Sequence, residues 1–278
     1  MWSGLSMTFF LFPLLPVGTQ AQPPVPAKYQ IDMILPGPVT AHTAAIIGMI
    51  RGWNFRPAAP APHSDEPLKM TCVETPGNER FVGVEQSLWI EAPLERVNAV
   101  LDDFEHYKDL SPGFENIHVV ARDGNMTQTF WEKNIPFFFM PNMKYSMTYL
   151  SDRSTASRVI YRYQLKESES LRSADGLIVL DSPARGAGRR TTKTATPATT
   201  MFTRYDYIDP SLGIFASAPS EMIWHNSLED LYLSTVGIKL KAEHFDWPYE
   251  KIVARAKSLL EETPVSKVRA QCAAHGTL

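Results

Sequence analysis

The feature that most constrains this chain is a series of strand-like segments between residues 115 and 209. Six such segments follow one another, separated by short turn sequences such as Asp123-Gly124-Asn125, and a seventh occupies residues 80–90. Short turns join antiparallel neighbours, because parallel strands need long crossover connections. The pattern therefore predicts an antiparallel meander of seven strands rather than an alternating α/β sheet.

Helical patterns flank these strands. In the segment from Glu91 to Leu110, Pro93 suits a first helical turn, and apolar residues recur at helical spacing at Leu94, Val97, Leu101 and Phe104. Residues 219–241 predict a longer helix with apolar positions on two sides, as expected of a helix that a sheet encloses. Residues 249–262 predict one more amphipathic helix after it.

Side-chain alternation predicts which residues face the concave side of the sheet, because successive strand residues point to opposite faces. The pattern puts Arg204 and Asp206 outside. The predicted inward set is Tyr145, Met147, Tyr149, Tyr161, Tyr163, Tyr205 and Tyr207. A buried hydroxyl without a partner costs roughly 1–3 kcal/mol, so this many tyrosines favour a cavity that holds water or an amphipathic ligand. An ordinary aromatic core with paired hydroxyls is the alternative.

Two motifs carry a resemblance to a known family. The first is Ile90-Glu91-Ala92-Pro93, followed by Val97, Val100, Asp102, Tyr107 and Pro112. It resembles the opening of domains in the START-related helix-grip superfamily. The second, Asp209-Pro210 with Gly213, is similar to the turn before the last helix of lipid-carrying START domains. The resemblance covers about residues 81–244.

The resemblance implies an α+β helix-grip fold. In that fold a curved seven-stranded antiparallel sheet wraps around a long C-terminal helix, with a hydrophobic cavity between the two. The family includes lipid and sterol carriers, plant hormone and allergen-type binders, polyketide aromatases and cyclases, and co-chaperones. The fold therefore does not decide the function.

Polar residues of the long helix are candidates for the site. His225 and Glu229 lie one helical turn apart, and Asn226 is next to His225. An enzyme would use His225 as a general base that Glu229 orients, with a tyrosine stabilising an enolate. A binding protein would use the three as polar contacts to its ligand, with Met222 and Leu233 beside them, and a structural role is the third interpretation.

Motifs for other chemistry are missing from the sequence. It contains no nucleophile motif, no glycine-rich phosphate loop and no Cys-x-x-Cys pair, and no third ligand stands at metal-site spacing near His225. We therefore expect no cofactor and no metal, and binding is favoured over catalysis. The 27 Lys and Arg residues against 30 Asp and Glu leave no surplus of positive charge for nucleic acid.

The ends of the chain predict export and extra segments. Residues 1–21, with an uncharged apolar run too short to span a bilayer, predict a secretory signal and a secreted or periplasmic location. Residues 22–70 form a proline-rich leader, 71–245 the START-like domain, and 246–278 a helix and tail. In an oxidising compartment, Cys72 and Cys272 are predicted to form a disulfide, with two free thiols as the alternative.

These patterns predict an exported protein that binds, and could transport, a lipid, a sterol or another hydrophobic or amphipathic molecule. The turn from Asp209 to Ala218 would open the cavity, and the basic segment 183–200 would either contact anionic membrane headgroups or remain solvated. A polyketide cyclase or aromatase is one alternative. An interaction module whose vestigial cavity is filled by its own side chains is another. The sequence leaves the oligomeric state open.

Overall fold

The structure, a computed structural model, describes residues 69–73, 83–135, 141–182, 198–210 and 220–262. Within these ranges, the side chains of residues 69–73, 154 and 220–226 are not described. The chain divides into two units, and all described residues belong to the second, Thr40–Leu278. The predicted signal, the tail after residue 262 and nearly all of the leader lie outside the described residues.

One antiparallel sheet of eight strands dominates the described fold. The strands are β1 (Lys69–Val73), β2 (Gly83–Ile90), β3 (Phe114–Asp123), β4 (Met126–Lys133), β5 (Met143–Thr155), β6 (Arg158–Ser168), β7 (Ser173–Asp181) and β8 (Thr200–Asp209). Their order is β1-β2-β8-β7-β6-β5-β4-β3, so β3 to β8 form a meander and β2 pairs with β8. The predicted seven strands are confirmed. The additional strand, β1, pairs with β2 and contains residue 70, the predicted end of the leader.

Four helices accompany the sheet within the described residues: α1 (Leu94–Asp102), α2 (Tyr107–Leu110), α3 (Ser220–Glu243) and α4 (Tyr249–Glu262). The single helix predicted for Glu91 to Leu110 is interrupted at Asp103, whose ψ of 63° is not helical. The Asp103 carboxylate lies 2.7 Å from Nδ1 of His106 and so stabilises the 3₁₀ turn between α1 and α2.

Helix α3 is enclosed, as the helix-grip fold requires. Residues 231–238 are all buried, and Leu228 and Ile238 have no exposed surface. The Thr235 hydroxyl bonds to the Gln86 amide oxygen on β2, and Nζ of Lys239 donates to the Trp89 carbonyl over 2.9 Å. A helix that is buried on all sides is held by its surroundings rather than by a single apolar stripe. The predicted α+β helix-grip class is thus confirmed.

The centre of the sheet is buried on both faces. All residues of β7 from Ala174 to Leu180 are buried, although successive residues point to opposite sides. Leu177, which points away from the cavity-lining residues, is as fully buried as Leu180. Polarity therefore does not distinguish the two faces here.

Candidate ligand cavity

A cavity lies between α3 and the inner face of the sheet. Its volume is about 90 Å³, below the roughly 300–1,000 Å³ typical of small-molecule pockets. Its apolar and aromatic lining residues are Tyr107, Phe114, Trp131, Met143, Tyr145, Met147, Tyr149, Tyr163, Leu171, Ala174, Ile178, Tyr207, Ile208, Pro210 and Leu231. Its polar lining residues are Lys133, Arg204, Asp206, Ser227, Asp230 and Ser234.

Trp131 organises the aromatic wall of the cavity. Its ring stacks on Tyr145, with centroids 6.2 Å apart and planes inclined by 5°. Phe114 meets the same ring edge-on, with centroids 5.1 Å apart. The indole Nε1 donates to the Thr129 hydroxyl over 2.6 Å, so the polar atom of Trp131 has a partner of its own. The wall thus offers a large apolar surface in a fixed orientation.

Tyr163 forms part of the cavity lining by lying across a glycine. Tyr163, Gly176 and Asp206 are neighbours in register on β6, β7 and β8. A Cβ atom on Gly176 would lie 2.0 Å from Cζ of Tyr163, so the ring occupies the space above the bare backbone. This position allows the Tyr163 hydroxyl to donate to the Asp206 carboxylate, and it lies 3.2 Å from the Tyr205 carbonyl.

Arg204 and Asp206 form an ion pair on the same strand. The distance from Nε of Arg204 to Oδ2 of Asp206 is 2.6 Å, and from Nη2 to Oδ1 it is 2.8 Å. Nη1 also donates to the Ser234 hydroxyl on α3 over 3.2 Å. Burial lowers the pKa of the Arg204 guanidinium, but the charge of Asp206 more than reverses this and holds it well above its usual value. Arg204 therefore stays charged inside the cavity wall.

Lys133 and Asp230 form a second ion pair, which joins the end of β4 to α3. Nζ of Lys133 and Oδ2 of Asp230 are 2.5 Å apart, and only 11% and 16% of the two side chains are exposed. A Cβ atom on Gly113 would lie 2.3 Å from Oδ1 of Asp230. The carboxylate is thus packed against the glycine backbone, which restricts its position beside Lys133.

Three tyrosine hydroxyls remain open to the cavity. Within the described residues, no hydrogen bond engages the hydroxyls of Tyr107, Tyr145 or Tyr149. Burial raises the pKa of all three phenols above the usual value. They are therefore protonated at neutral pH, and each can both donate and accept a hydrogen bond.

The structure brings together five of the residues predicted to bind ligand: Tyr145, Met147, Tyr149, Tyr163 and Tyr207 all line the cavity. Four other predicted residues do not line it: Tyr161, Tyr205, Glu229 and Leu233. The side chains of the remaining three, Met222, His225 and Asn226, lie outside the described residues. Whether any of these residues binds a ligand stays a prediction.

The faces predicted for Arg204, Tyr205 and Asp206 of β8 are wrong. Arg204 and Asp206 line the cavity, whereas Tyr205 points to the other face, where a Cβ atom on Gly83 would lie 2.1 Å from its hydroxyl oxygen. Charged strand residues usually point outward, but Tyr205 and Asp206 are both buried, so β8 is covered on both faces at this place. The ion pair supplies the compensation that a buried arginine and aspartate need.

Three other predicted residues, Tyr161, Glu229 and Leu233, do not line the cavity, for different reasons. Tyr161 points to the inner face, but its hydroxyl lies 2.7 Å from Oδ1 of Asn98 on α1 and is used there. The positions of α3 that line the cavity are Ser227, Asp230, Leu231 and Ser234, which share one side of the helix. Glu229 and Leu233 lie more than a quarter of a turn away from the centre of that side.

Several predictions fall on parts of the chain that the structure does not describe. Cys72 lies on β1 without a described side chain and Cys272 lies outside the described residues, so the disulfide stays a prediction. Of the predicted gate, Asp209 and Pro210 are described and Pro210 lines the cavity. The basic segment is described only from residue 198 onward.

Two kinds of feature are missing from the described residues. None of their helices combines the length and apolar character needed to cross a bilayer. No group of three or more His, Cys, Asp or Glu side chains among them is arranged to hold a metal ion.

Comparisons with known proteins find similarity in structure only. No protein-family model matches the chain, and no curated protein matches it. Among solved structures, a STAR-related lipid transfer protein from Xanthomonas axonopodis has a TM-score of 0.46 at 12% identity, over 70% of this chain and 96% of that chain. The Zhui aromatase/cyclase from Streptomyces sp. R1128 has a TM-score of 0.42 at 13% identity, over 64% and 94%.

A START superfamily protein from Mycobacterium smegmatis is similar to the same extent. Its TM-score is 0.42 at 13% identity, over 59% of this chain and 98% of that chain. Two of these three structures are described as START or STAR-related proteins, the superfamily that the sequence motifs resemble. At these identities and scores they carry no inference about function, which has to come from the residues of the cavity itself.

Proposed function

We propose that this protein binds a hydrophobic or amphipathic small molecule, such as a lipid or a sterol, in the cavity between α3 and the sheet, and that it carries this molecule. Binding would remove apolar ligand surface from water, at about 25 cal/mol per Å². The aromatic wall around Trp131 and the methionines Met143 and Met147 provide the apolar surface that such a ligand needs.

The observation that carries the proposal is the mixture of an aromatic wall with three open hydroxyls. In a dry core, the hydroxyls of Tyr107, Tyr145 and Tyr149 would each need a partner within the protein. Facing a cavity, they serve as the few polar groups that orient an otherwise apolar ligand.

The charged groups of the cavity favour binding over catalysis. Asp206 and Asp230 each lie within 2.6 Å of a cationic group, and Tyr163 has its pKa raised by burial and by Asp206. A general base needs a pKa near the working pH and an open position next to the reacting atom. We therefore place the cyclase or aromatase alternative second.

The test is to identify what the protein binds and to show that the cavity holds it. Native mass spectrometry of the protein purified without detergent should show bound mass. This mass should disappear after extraction with organic solvent and return when lipid extract is added. Ala174 lines the cavity and is 3% exposed, so Ala174→Phe should occupy the ligand's space and abolish the added mass.

The matched control is Ala254→Phe, which adds the same ring to an exposed position of α4. It should bind as much ligand as the natural sequence does. A protein that takes up no molecule after extraction contradicts the proposal. So does equal loss of binding in both variants, because the loss would then not depend on the cavity.

Export from the cell remains part of the proposal. A protein whose residues 1–21 are a cleaved signal would begin near Gln22 after secretion. Mass spectrometry of the protein recovered from an exporting host would show this, together with the loss of two hydrogens if Cys72 and Cys272 pair. Recovery of the full-length chain from the cytoplasm only would contradict the export proposal and leave ligand binding untouched.

A further inference from the structure

We propose that the cavity selects uncharged amphiphiles over ionised ones, and that the pair of Lys133 and Asp230 sets this selectivity. The inference rests on the proposed binding function and narrows the class of ligand. It comes from the charges that line the cavity. Among the described lining residues four are charged, and each cation contacts a carboxylate of its own.

Among the described lining residues, the two pairs leave no cation free for an anionic headgroup. Arg204 is held by Asp206 through contacts of 2.6 and 2.8 Å and by Ser234 at 3.2 Å. Lys133 is held by Asp230 at 2.5 Å. A ligand carboxylate would have to displace one of these carboxylates before it could pair.

Both carboxylates are held in place by further contacts. Asp206 accepts a hydrogen bond from Tyr163, and Asp230 packs against the backbone of Gly113. An ionised ligand therefore loses its hydration on entering and gains no unpaired partner among the described lining residues, which is an unfavourable exchange. An uncharged hydroxyl, ester or carbonyl loses much less hydration, and the open hydroxyls of Tyr145 and Tyr149 can bond to it.

Of the two ion pairs, Lys133 and Asp230 can be changed with less risk to the fold, so this pair is the better test of ligand selectivity. Their side chains are 11% and 16% exposed, so they border the cavity without being part of the most deeply buried network. Asparagine has nearly the shape of aspartate and preserves the packing on Gly113. Asp230→Asn therefore leaves an unpaired ammonium of Lys133 at the cavity wall.

The experiment uses two fluorescent probes: dansylaminoundecanoic acid, whose carboxylate is charged at neutral pH, and its uncharged methyl ester. Each is titrated into delipidated protein at neutral pH. We expect the natural chain to bind the ester at least about tenfold more tightly than the acid. In Asp230→Asn, the ratio of the two affinities should shift toward the acid by about tenfold, because only the acid can pair with Lys133.

A control variant and a second test variant show whether the change in selectivity depends on the Lys133 and Asp230 pair. Glu132→Gln makes the same change of net charge at the neighbouring position, where Glu132 pairs with the 61% exposed Lys144 at 3.2 Å outside the cavity lining. It should leave the ratio of affinities unchanged. Lys133→Met exposes Asp230 instead and should favour a dansyl undecylamine probe over the acid, which supports the inference even if Asp230→Asn does not fold.

The outcomes separate the two proposals. If neither probe binds the natural chain, the proposed binding function fails, and the inference fails with it. If both probes bind but the acid binds as tightly as the ester, the binding function stands and the selectivity is overturned. A shift of the same size in Glu132→Gln and Asp230→Asn overturns the role of the Lys133 and Asp230 pair.

Discussion

Tyrosines occupy two regions of the sheet's inner face that treat the same side chain differently. Beneath α1, the Tyr161 hydroxyl lies 2.7 Å from Oδ1 of Asn98 and 2.8 Å from Oδ1 of Asp102. In the cavity, the hydroxyl of Tyr149 has no such partner among the described residues. Two tyrosines on the same face of the sheet therefore need not have the same role. Hydrogen bonds to a neighbouring helix can make one of them a structural residue while the other stays open to the cavity.

The region beneath α1 is a closed network. Nη2 of Arg153 contacts Oδ2 of Asp102 at 2.5 Å, and the Asn98 amide donates to the same oxygen over 3.1 Å. The proximity of Asp102 and the burial of the ring raise the pKa of Tyr161, burial being the larger cause. We expect this region to contribute to stability, and the cavity hydroxyls to contribute to ligand affinity.

The largest expected effect on stability comes from replacing Arg204. This charged cavity residue is held by Asp206 and Ser234, as Tyr161 is held by Asn98 and Asp102. Arg204→Met leaves Asp206 nearly buried without its countercharge, and removing one partner of a buried pair costs about 3 kcal/mol or more. Urea unfolding should show a lowered midpoint with an unchanged slope. The double variant Arg204→Met with Asp206→Leu should recover most of the loss, and a single variant as stable as the natural chain would contradict the ion pair.

Tyr161→Phe should have the next largest effect. It removes the donor shared by Asn98 and Asp102 and leaves their oxygens less well paired, so we expect a loss of about 1–2 kcal/mol in the free energy of unfolding. Affinity for the dansyl ester probe should not change. Unchanged stability with weakened binding would instead place Tyr161 in the site.

Tyr149→Phe should behave in the opposite way. Because the hydroxyl has no hydrogen-bond partner among the described residues, the free energy of unfolding should change by less than about 0.5 kcal/mol. The affinity for the ester probe should fall about threefold to tenfold if the hydroxyl bonds to the ligand. A large loss of stability with full binding would show that Tyr149 belongs with Tyr161.

Regular periodicity explains which parts of the fold could be predicted from the sequence. The helix predicted at residues 249–262 is α4, and the strand alternation correctly put Tyr145, Tyr149 and Tyr163 on the cavity side. These predictions depend on local spacing alone. Strand β1 was not predicted, because its pairing with β2 is a tertiary contact that no local periodicity indicates.

The cavity charges were harder to predict. Arg204 and Asp206 stand two residues apart on one strand, a spacing that puts opposite charges on the same face. That signal was present, but it was interpreted as solvent exposure. Lys133 and Asp230 are far apart in the sequence and meet only because α3 packs beside the end of β4. No local sequence pattern predicts an ion pair between residues so far apart in the chain.

The smallest expected effect lies outside both regions, at Tyr249 of α4. Its ring stacks on His106 with centroids 5.0 Å apart, and burial, followed by the neighbouring Asp103, raises its pKa to about 12. The folded state thus holds the phenol proton more tightly than the unfolded state, whose tyrosine pKa is about 10. This contribution is complete below about pH 10 and is lost as the pH rises through about 12.

The difference in free energy of unfolding between the natural chain and Tyr249→Phe isolates this contribution. Because the ring is partly exposed, we expect the difference to fall by less than about 1 kcal/mol between about pH 9 and about pH 12. Urea unfolding at several pH values measures it. A difference that grew with pH would mean that the phenolate, not the phenol, is favoured in the folded state.

The bare backbone of Gly176 has a consequence for the size of ligand that the cavity admits. Tyr163 lies in the space that a Cβ atom at Gly176 would fill. The floor of the cavity at this place is therefore the Tyr163 ring, lying directly on the backbone of the sheet. Any larger residue would lift the ring into the cavity and pull its hydroxyl away from Asp206. The upper limit on ligand bulk is therefore set by a position with no side chain, and relatives with a different residue there would accept a smaller range of molecules.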